Sequence, residues 1–171
     1  VASGTASSPW YDGGAQTALN RVPTSVSSDT VVIANGHTVT IPAGTSATIG
    51  DSANPTTPAI SSNNSNGTGI LNIGDGATLT VKGNVRQGNA NWTINKDCTI
   101  NFEHASANLT WAITDDGGTS TNAILILNGT SGHRITVAST GAANSGGFGN
   151  VGTAWSLGGK IQASYVSFSK I

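Results

Sequence analysis

The sequence predicts an all-β fold and, within that class, a β-solenoid. Three observations point there. The 171 residues include 14 Ile and 11 Val against 7 Leu and no Met, an apolar set that favours strands. Charged residues supply only 9% of the chain, with a single Glu, so surface helix formers are scarce; Gly, Thr, Ser and Asn together make up almost half. Third, an eleven-residue pattern recurs, and regular recurrence is the mark of a repeat architecture.

The N-terminal segment, residues 1–30, stands apart from the repeat. Pro9, Pro23 and Gly13-Gly14 interrupt it, and Ala15 to Val22 could form a short helix. It reads as a cap or assembly segment, because the end of a solenoid exposes apolar groups and unpaired strand edges. The repeat begins at residues 31–41, VVIANGHTVTI, and returns at 71–81, LNIGDGATLTV, and at 92–102, WTINKDCTINF. Apolar side chains fall at the first, third, ninth and eleventh places, so each copy is two short strands with one inward face. The dipeptides between them, Asn35-Gly36, Asp75-Gly76 and Lys96-Asp97, read as turns, where Asn, Asp and Gly tolerate positive φ. A Thr precedes the second pair each time (Thr38, Thr78, Thr99), which would build a hydroxyl ladder outside the core. The 21-residue step fits one coil. The 40-residue step reads as two, with Ala47 to Ile49 and Ala59 to Ile60 in the coil between.

Residues 50–69, rich in Asn, Ser, Thr, Pro and Gly, read as a loop leaving the coils, as do 114–122 and 138–153. A fourth copy, Ile124, Ile126, Ile135 and Val137, lies between the last two, with a longer turn from Asn128 to His133. Residues 160–171, KIQASYVSFSKI, read as one more coil strand, with Tyr165, Phe168 and Ile171 on an assembly edge. Such an edge is a pairing template, which predicts that further chain or another subunit stacks there. Val1 followed by small polar residues does not read as a signal peptide, and a start without Met predicts a processed chain or a segment of something longer. The domain reading is therefore a cap over 1–30 and coils over 31–171. The alternative fold is an antiparallel β-sandwich, because Asn-Gly between alternating runs is also a strong hairpin signal.

The stretches LNIGDGATLTV, ILILNGTSGHRITV and KIQASYVSFSKI resemble the coils of right-handed parallel β-helix proteins of phage tailspikes and fibres, bacterial adhesins and polysaccharide-cleaving enzymes. The opening from Trp10 through VPTSVSSDTVVIANGHTVTI to LNIGDGATLTV, residues 10–83, resembles the extracellular β-rich domain family named for its eight glycines. These resemblances imply a fold and an extracellular, cell-surface or virion setting; no catalytic motif of those families is matched.

The composition also excludes partners. The net charge is −1, and seven Lys and Arg are scattered rather than gathered into a phosphate-binding patch, so no nucleic acid is expected. No apolar run exceeds five residues, so no membrane insertion is expected. One cysteine, Cys98, precludes an intrachain disulfide framework and reads as a small buried hydrophobe. His37, His104 and His133 are too dispersed for a local metal motif, and no cofactor is expected. Asp115-Asp116, the adjacent carboxylate pair, precedes Gly117-Gly118 and reads as a turn, although a loose calcium site is conceivable there. Five Asn-x-Ser/Thr sequons start at Asn63, Asn66, Asn91, Asn108 and Asn128; in a chain so rich in Ser and Thr they do not establish glycosylation.

The function expected is a non-enzymatic structural or adhesive module that associates with itself or with the rest of a longer chain. Two other classes are open. One is a carbohydrate-binding module that meets surface polysaccharide with loop aromatics, for which Phe148 and Trp155, in Gly-rich stretches, are the candidates. The other is a polysaccharide hydrolase or lyase whose paired carboxylates, such as Glu103 with Asp115 or Asp116, meet across a cleft or between subunits.

Overall fold

A computed structural model describes residues 30–62, 67–105, 107–113, 123–140, 146–149 and 159–169. The expected cap, the 114–122 segment, Trp155 and Ile171 lie outside these residues. The described chain is all β, without helix, and passes repeatedly through three sheets in a fixed order. The first pass is β1 (Val31–Ile33), β2 (Thr38–Ile41) and β3 (Ser46–Ile49). The second is β4 (Pro58–Ser62), β5 (Ile70–Ile73) and β6 (Thr78–Val81), and the third is β7 (Asn84–Gln87), β8 (Trp92–Asn95) and β9 (Thr99–Glu103). The fourth is β10 (Leu109–Ile113), β11 (Ile124–Asn128) and β12 (Ile135–Thr140), and the fifth is β13 (Gly146–Gly149), β14 (Lys160–Ser164) and β15 (Val166–Ser169).

The sheets run β1-β4-β7-β10-β13, β2-β5-β8-β11-β14 and β3-β6-β9-β12-β15. Every pairing between these strands is parallel, which replaces the antiparallel alternative. Each strand pairs only with its counterparts in the passes before and after, so like residues stand over like at the ~4.8 Å spacing of neighbouring strands.

This register corrects the phase of the repeat. Leu71 pairs with Val39 and Leu79 with Ala47, so the counterpart of LNIGDGATLTV in the first pass is residues 39–49, 32 positions earlier. The stretch VVIANGHTVTI spans β1 and β2 and turns a different corner. The 40-residue step is thus one pass plus one strand and turn, not two coils. The expected Thr ladder shifts with it. The row that stacks is Ser46, Thr78, Thr99, Thr136 and Ser167, all outward on the third sheet, and Thr38 pairs with Ile70 instead. Ala47 to Ile49 and Ala59 to Ile60, expected in a coil, lie in β3 and β4, so the 50–69 stretch is not all loop; 146–149, within the expected 138–153 loop, form β13.

Inward rows build the core. Ile41, Ile73, Ile94 and Leu127 form one, and Ala47, Leu79, Ile100 and Val137 another; all are at most 2% exposed. Burying each large aliphatic side chain stabilises the fold by about 1.5–3 kcal/mol before entropy is counted. In the middle passes Trp92 and Trp111, both fully buried, meet edge to face with ring centroids 5.8 Å apart, and Trp92 Nε1 donates to the Gly69 carbonyl at 2.7 Å. Cys98 is buried as expected; its thiol donates to the Gly74 carbonyl, and burial pushes its pKa up.

The corner between the second and third sheets has one recurring backbone feature. A residue with positive φ occurs there in every pass: Gly44 (67°), Gly76 (67°), Asp97 (59°), Gly132 (83°) and Tyr165 (48°). Asp97 is therefore a non-glycine residue in a left-handed conformation that costs most L residues about 1–2 kcal/mol. Both Asp97→Gly and Asp97→Ala delete its exposed carboxylate, so the difference between them isolates the backbone. The Gly variant should unfold at higher urea than the Ala variant, by about 1 kcal/mol in equilibrium denaturation; equal midpoints would show that the corner carries no such constraint.

Candidate functional site

The site with the most unsatisfied surface is the end of the winding formed by the fifth pass. Its strands, like those of the first pass, are terminal in all three sheets, so among the described residues each has one unpaired edge. Register sets which side chains point inward there. Ile161 stands over Leu125, Ala163 over Leu127, Val166 over Ile135 and Phe168 over Val137. Those fourth-pass partners are at most 1% exposed, whereas Ile161 is 48% and Phe168 56% exposed. Of the inward side chains of the first pass, Val31, Ile33, Ile41 and Ala47 are within 3% of complete burial, while Val39, which stands over Leu71, is partly exposed. Ile161 and Phe168 of the fifth pass are thus more exposed than most core-facing residues of the first.

Of the aromatic residues singled out in the sequence, Phe168 and Tyr165 lie on this end, with Tyr165, 50% exposed, at its corner. Phe148 does not sit in a loop as a free sugar platform. It stands over Trp111 on β13, partly buried, with its ring against Trp111 at 5.9 Å, Phe102 at 6.2 Å and Phe168 at 6.3 Å. Space for that ring comes from Ser139, the small residue that stands over Phe102. An aromatic chain therefore runs from the central Trp pair out to the exposed Phe168. Ile161 was missed in the sequence reading although the alternation in KIQAS marks it; it is the partner of Phe168 on the open face.

Several described polar side chains have partners away from this end. Glu103 pairs with Lys82 at 3.2 Å, Asp75 with Lys96 at 3.5 Å, and Asp97 with His133 at 2.9 Å. All three pairs are partly exposed and contribute little to stability each. Asp51 accepts from the Asn54 side chain and the Ala53 amide, and these bonds hold its carboxyl below the ordinary value. His104 accepts the Ala107 amide at Nδ1 and lies 2.9 Å from the Ser52 carbonyl at Nε2, so it ties the turn after β3 to the turn after β9. The expected neighbours Glu103 and His104 therefore serve separate contacts, and Asp115 and Asp116 lie outside the described residues. Among the described residues no three His, Cys, Asp or Glu side chains gather as a metal site. Of the described sequons, Asn91 uses its side-chain oxygen to accept the Ile124 amide, and Asn128 is exposed at the end of β11.

Comparisons of the chain with protein-family models, with curated proteins and with solved structures found no match.

Proposed function

We propose that the chain is a parallel β-solenoid, or β-helix, serving as a non-enzymatic structural or adhesive module of an extracellular or virion assembly: a surface filament, fibre or tailspike. The observation that carries this reading is the stacking of like residues in three all-parallel sheets, with core-facing Ile161 and Phe168 of the fifth pass half exposed beside strand edges that no described strand pairs. Such an end is a surface for association with more β structure. Two further features support it. The outer face of the third sheet is a stacked row of Ser and Thr, which stays hydrated without charge. Of the four described carboxylates, Glu103, Asp75 and Asp97 are in ion pairs with neighbouring passes and Asp51 is bound within one turn.

The test is location. Antibodies raised against the folded chain, used for immunogold labelling of intact source cells and particles, should decorate an external fibre, spike or filament. Label confined to the cell interior would overturn the assignment.

A further inference from the structure

Two histidines tie passes of the winding together by opposite hydrogen-bond chemistry, and one of them makes its corner sensitive to acid. At the corner between the third and first sheets, the His104 ring joins the turn after β9 to the turn after β3. Its Nδ1 lies 2.7 Å from the Ala107 amide nitrogen, and its Nε2 lies 2.9 Å from the Ser52 carbonyl oxygen. An amide N–H only donates, so Nδ1 must present a lone pair; a carbonyl only accepts, so Nε2 must carry the hydrogen. The two contacts together select one tautomer of the neutral ring. A second proton would have to enter at Nδ1, where the Ala107 N–H already points. From this geometry we propose that His104 is an acid-released latch: protonation of its ring expels the Ala107 amide and loosens the tie between the two turns.

The surroundings fit that role. Only Lys82 and Gly83 separate β6 from β7, and the turn after β3 folds against this short corner, with the Asn84 amide donating to the Pro55 carbonyl at 3.1 Å. His104 therefore reaches from the third pass to the first, past the corner between them. The charged groups on these elements are engaged with other partners. Lys82 and Glu103 pair with each other at 3.2 Å. Asp51, the carboxylate of the turn after β3, accepts from the Ala53 amide at one oxygen and from the Asn54 side chain at the other. The Nε2–H can donate to Ser52 in either charge state, so the difference between the two states lies at Nδ1. The closed latch binds one proton fewer than the opened one, which favours closure as the pH rises. His133, at the corner between the second and third sheets, is wired the other way. Its Nδ1 lies 2.9 Å from an Asp97 carboxylate oxygen, an acceptor, so that nitrogen carries a hydrogen and protonation completes an ion pair. Acid thus opens one corner while it holds the other.

The test is NMR on the nitrogen-labelled chain. Ring proton–nitrogen correlations at neutral pH should show His104 as the Nε2–H tautomer. Hydrogen-exchange protection of the Ala107 amide, corrected for the intrinsic pH dependence of exchange, should fall by about tenfold between about pH 8 and pH 5, the range in which histidine changes charge and the equivalent of one net hydrogen bond. The amides within β9 should keep their protection, because the strand ladders stay paired. His104→Gln, which cannot titrate there, should abolish the step at Ala107, and His133→Gln should leave it in place. An Nδ1–H tautomer of His104 at neutral pH, equal Ala107 protection at both ends of the range, a step that persists in His104→Gln, or one that vanishes in His133→Gln would each overturn the proposal. The tautomer and the parent chain's exchange need no variant, so they decide the matter even where a substitution prevents folding.

Discussion

Trp92→Ala should lower the stability of the chain by about 3–5 kcal/mol, as expected for truncating a fully buried aromatic residue whose cavity cannot collapse. Trp92 is 0% exposed and sits in the third pass, with stacked layers on both sides. Its loss removes the edge-to-face contact with Trp111 and leaves the Gly69 carbonyl without its indole donor. The two tryptophans should respond differently to Phe. Trp92→Phe keeps most of the packing but deletes that hydrogen bond, at about 1–3 kcal/mol for a buried acceptor left unsatisfied. Trp111→Phe removes an Nε1 that is buried with no partner among the described residues, so only volume is lost and the cost should be smaller. Urea denaturation followed by tryptophan fluorescence and circular dichroism checks both. A Trp92→Ala variant within 1 kcal/mol of the parent, or Trp111→Phe costing more than Trp92→Phe, would contradict the described core.

Gly69→Ala should be a strongly damaging single-methyl change. Gly69 immediately precedes β5, and a Cβ there would lie 2.3 Å from the Ile33 carbonyl oxygen and 2.7 Å from Ile33 Cγ2. Neither can yield easily, since Ile33 is 1% exposed and is held in β1 under β4. Overpacking of this kind costs about 1–3 kcal/mol or more, because the strand itself must move. Gly76→Ala is the control. It has open space around its Cβ position but a φ of +67°, so it should lose only the ~1–2 kcal/mol of a left-handed corner. If both variants unfold at the same denaturant concentration, the close approach at Gly69 is not a constraint. If Gly69→Ala is neutral, the packing of the second pass over the first is looser than described.

The parts of this architecture visible in the sequence are those where alternation is unbroken. The second and third sheets are inwardly apolar, so Leu71, Ile73, Leu79 and Val81 announce their strands, as do Trp92, Ile94, Ile100 and Phe102. In the first sheet β1 was legible from Val31 and Ile33 and part of β4 from Ala59 and Ile60, but β7 and the end of β4 were hidden because their inward positions admit polar residues. Ser62 points inward on β4 and accepts the Gly88 amide, and Gln87 points inward on β7 and donates to the Ala90 and Ile124 carbonyls. A strand whose inner face carries Ser or Gln has no apolar period to read. The phase of the first pass was hidden for another reason. Two corners use the same chemistry, apolar pairs around an Xaa-Gly turn, and local spacing cannot tell β1–β2 from β5–β6; only the pairing of Val39 with Leu71 does. For the candidate site, the alternation in KIQASYVSFSKI exposed Phe168. Phe148 was misplaced because glycines surround it, and glycine reads as loop until a neighbouring strand such as β10 supplies the ladder.

The strict neighbour pairing of the passes also governs how the molecule comes apart. Mechanically it is a one-dimensional row of coupled layers in which a disturbance is felt only by the layers on either side. Among the described strands the inner layers are gripped twice and the first and fifth only once, so protection of amide hydrogens against exchange should be highest on β8 and β9 and fall toward both ends of the row. A force that pulls on the fifth pass would meet each layer in turn, a series of small peeling steps in place of one global rupture.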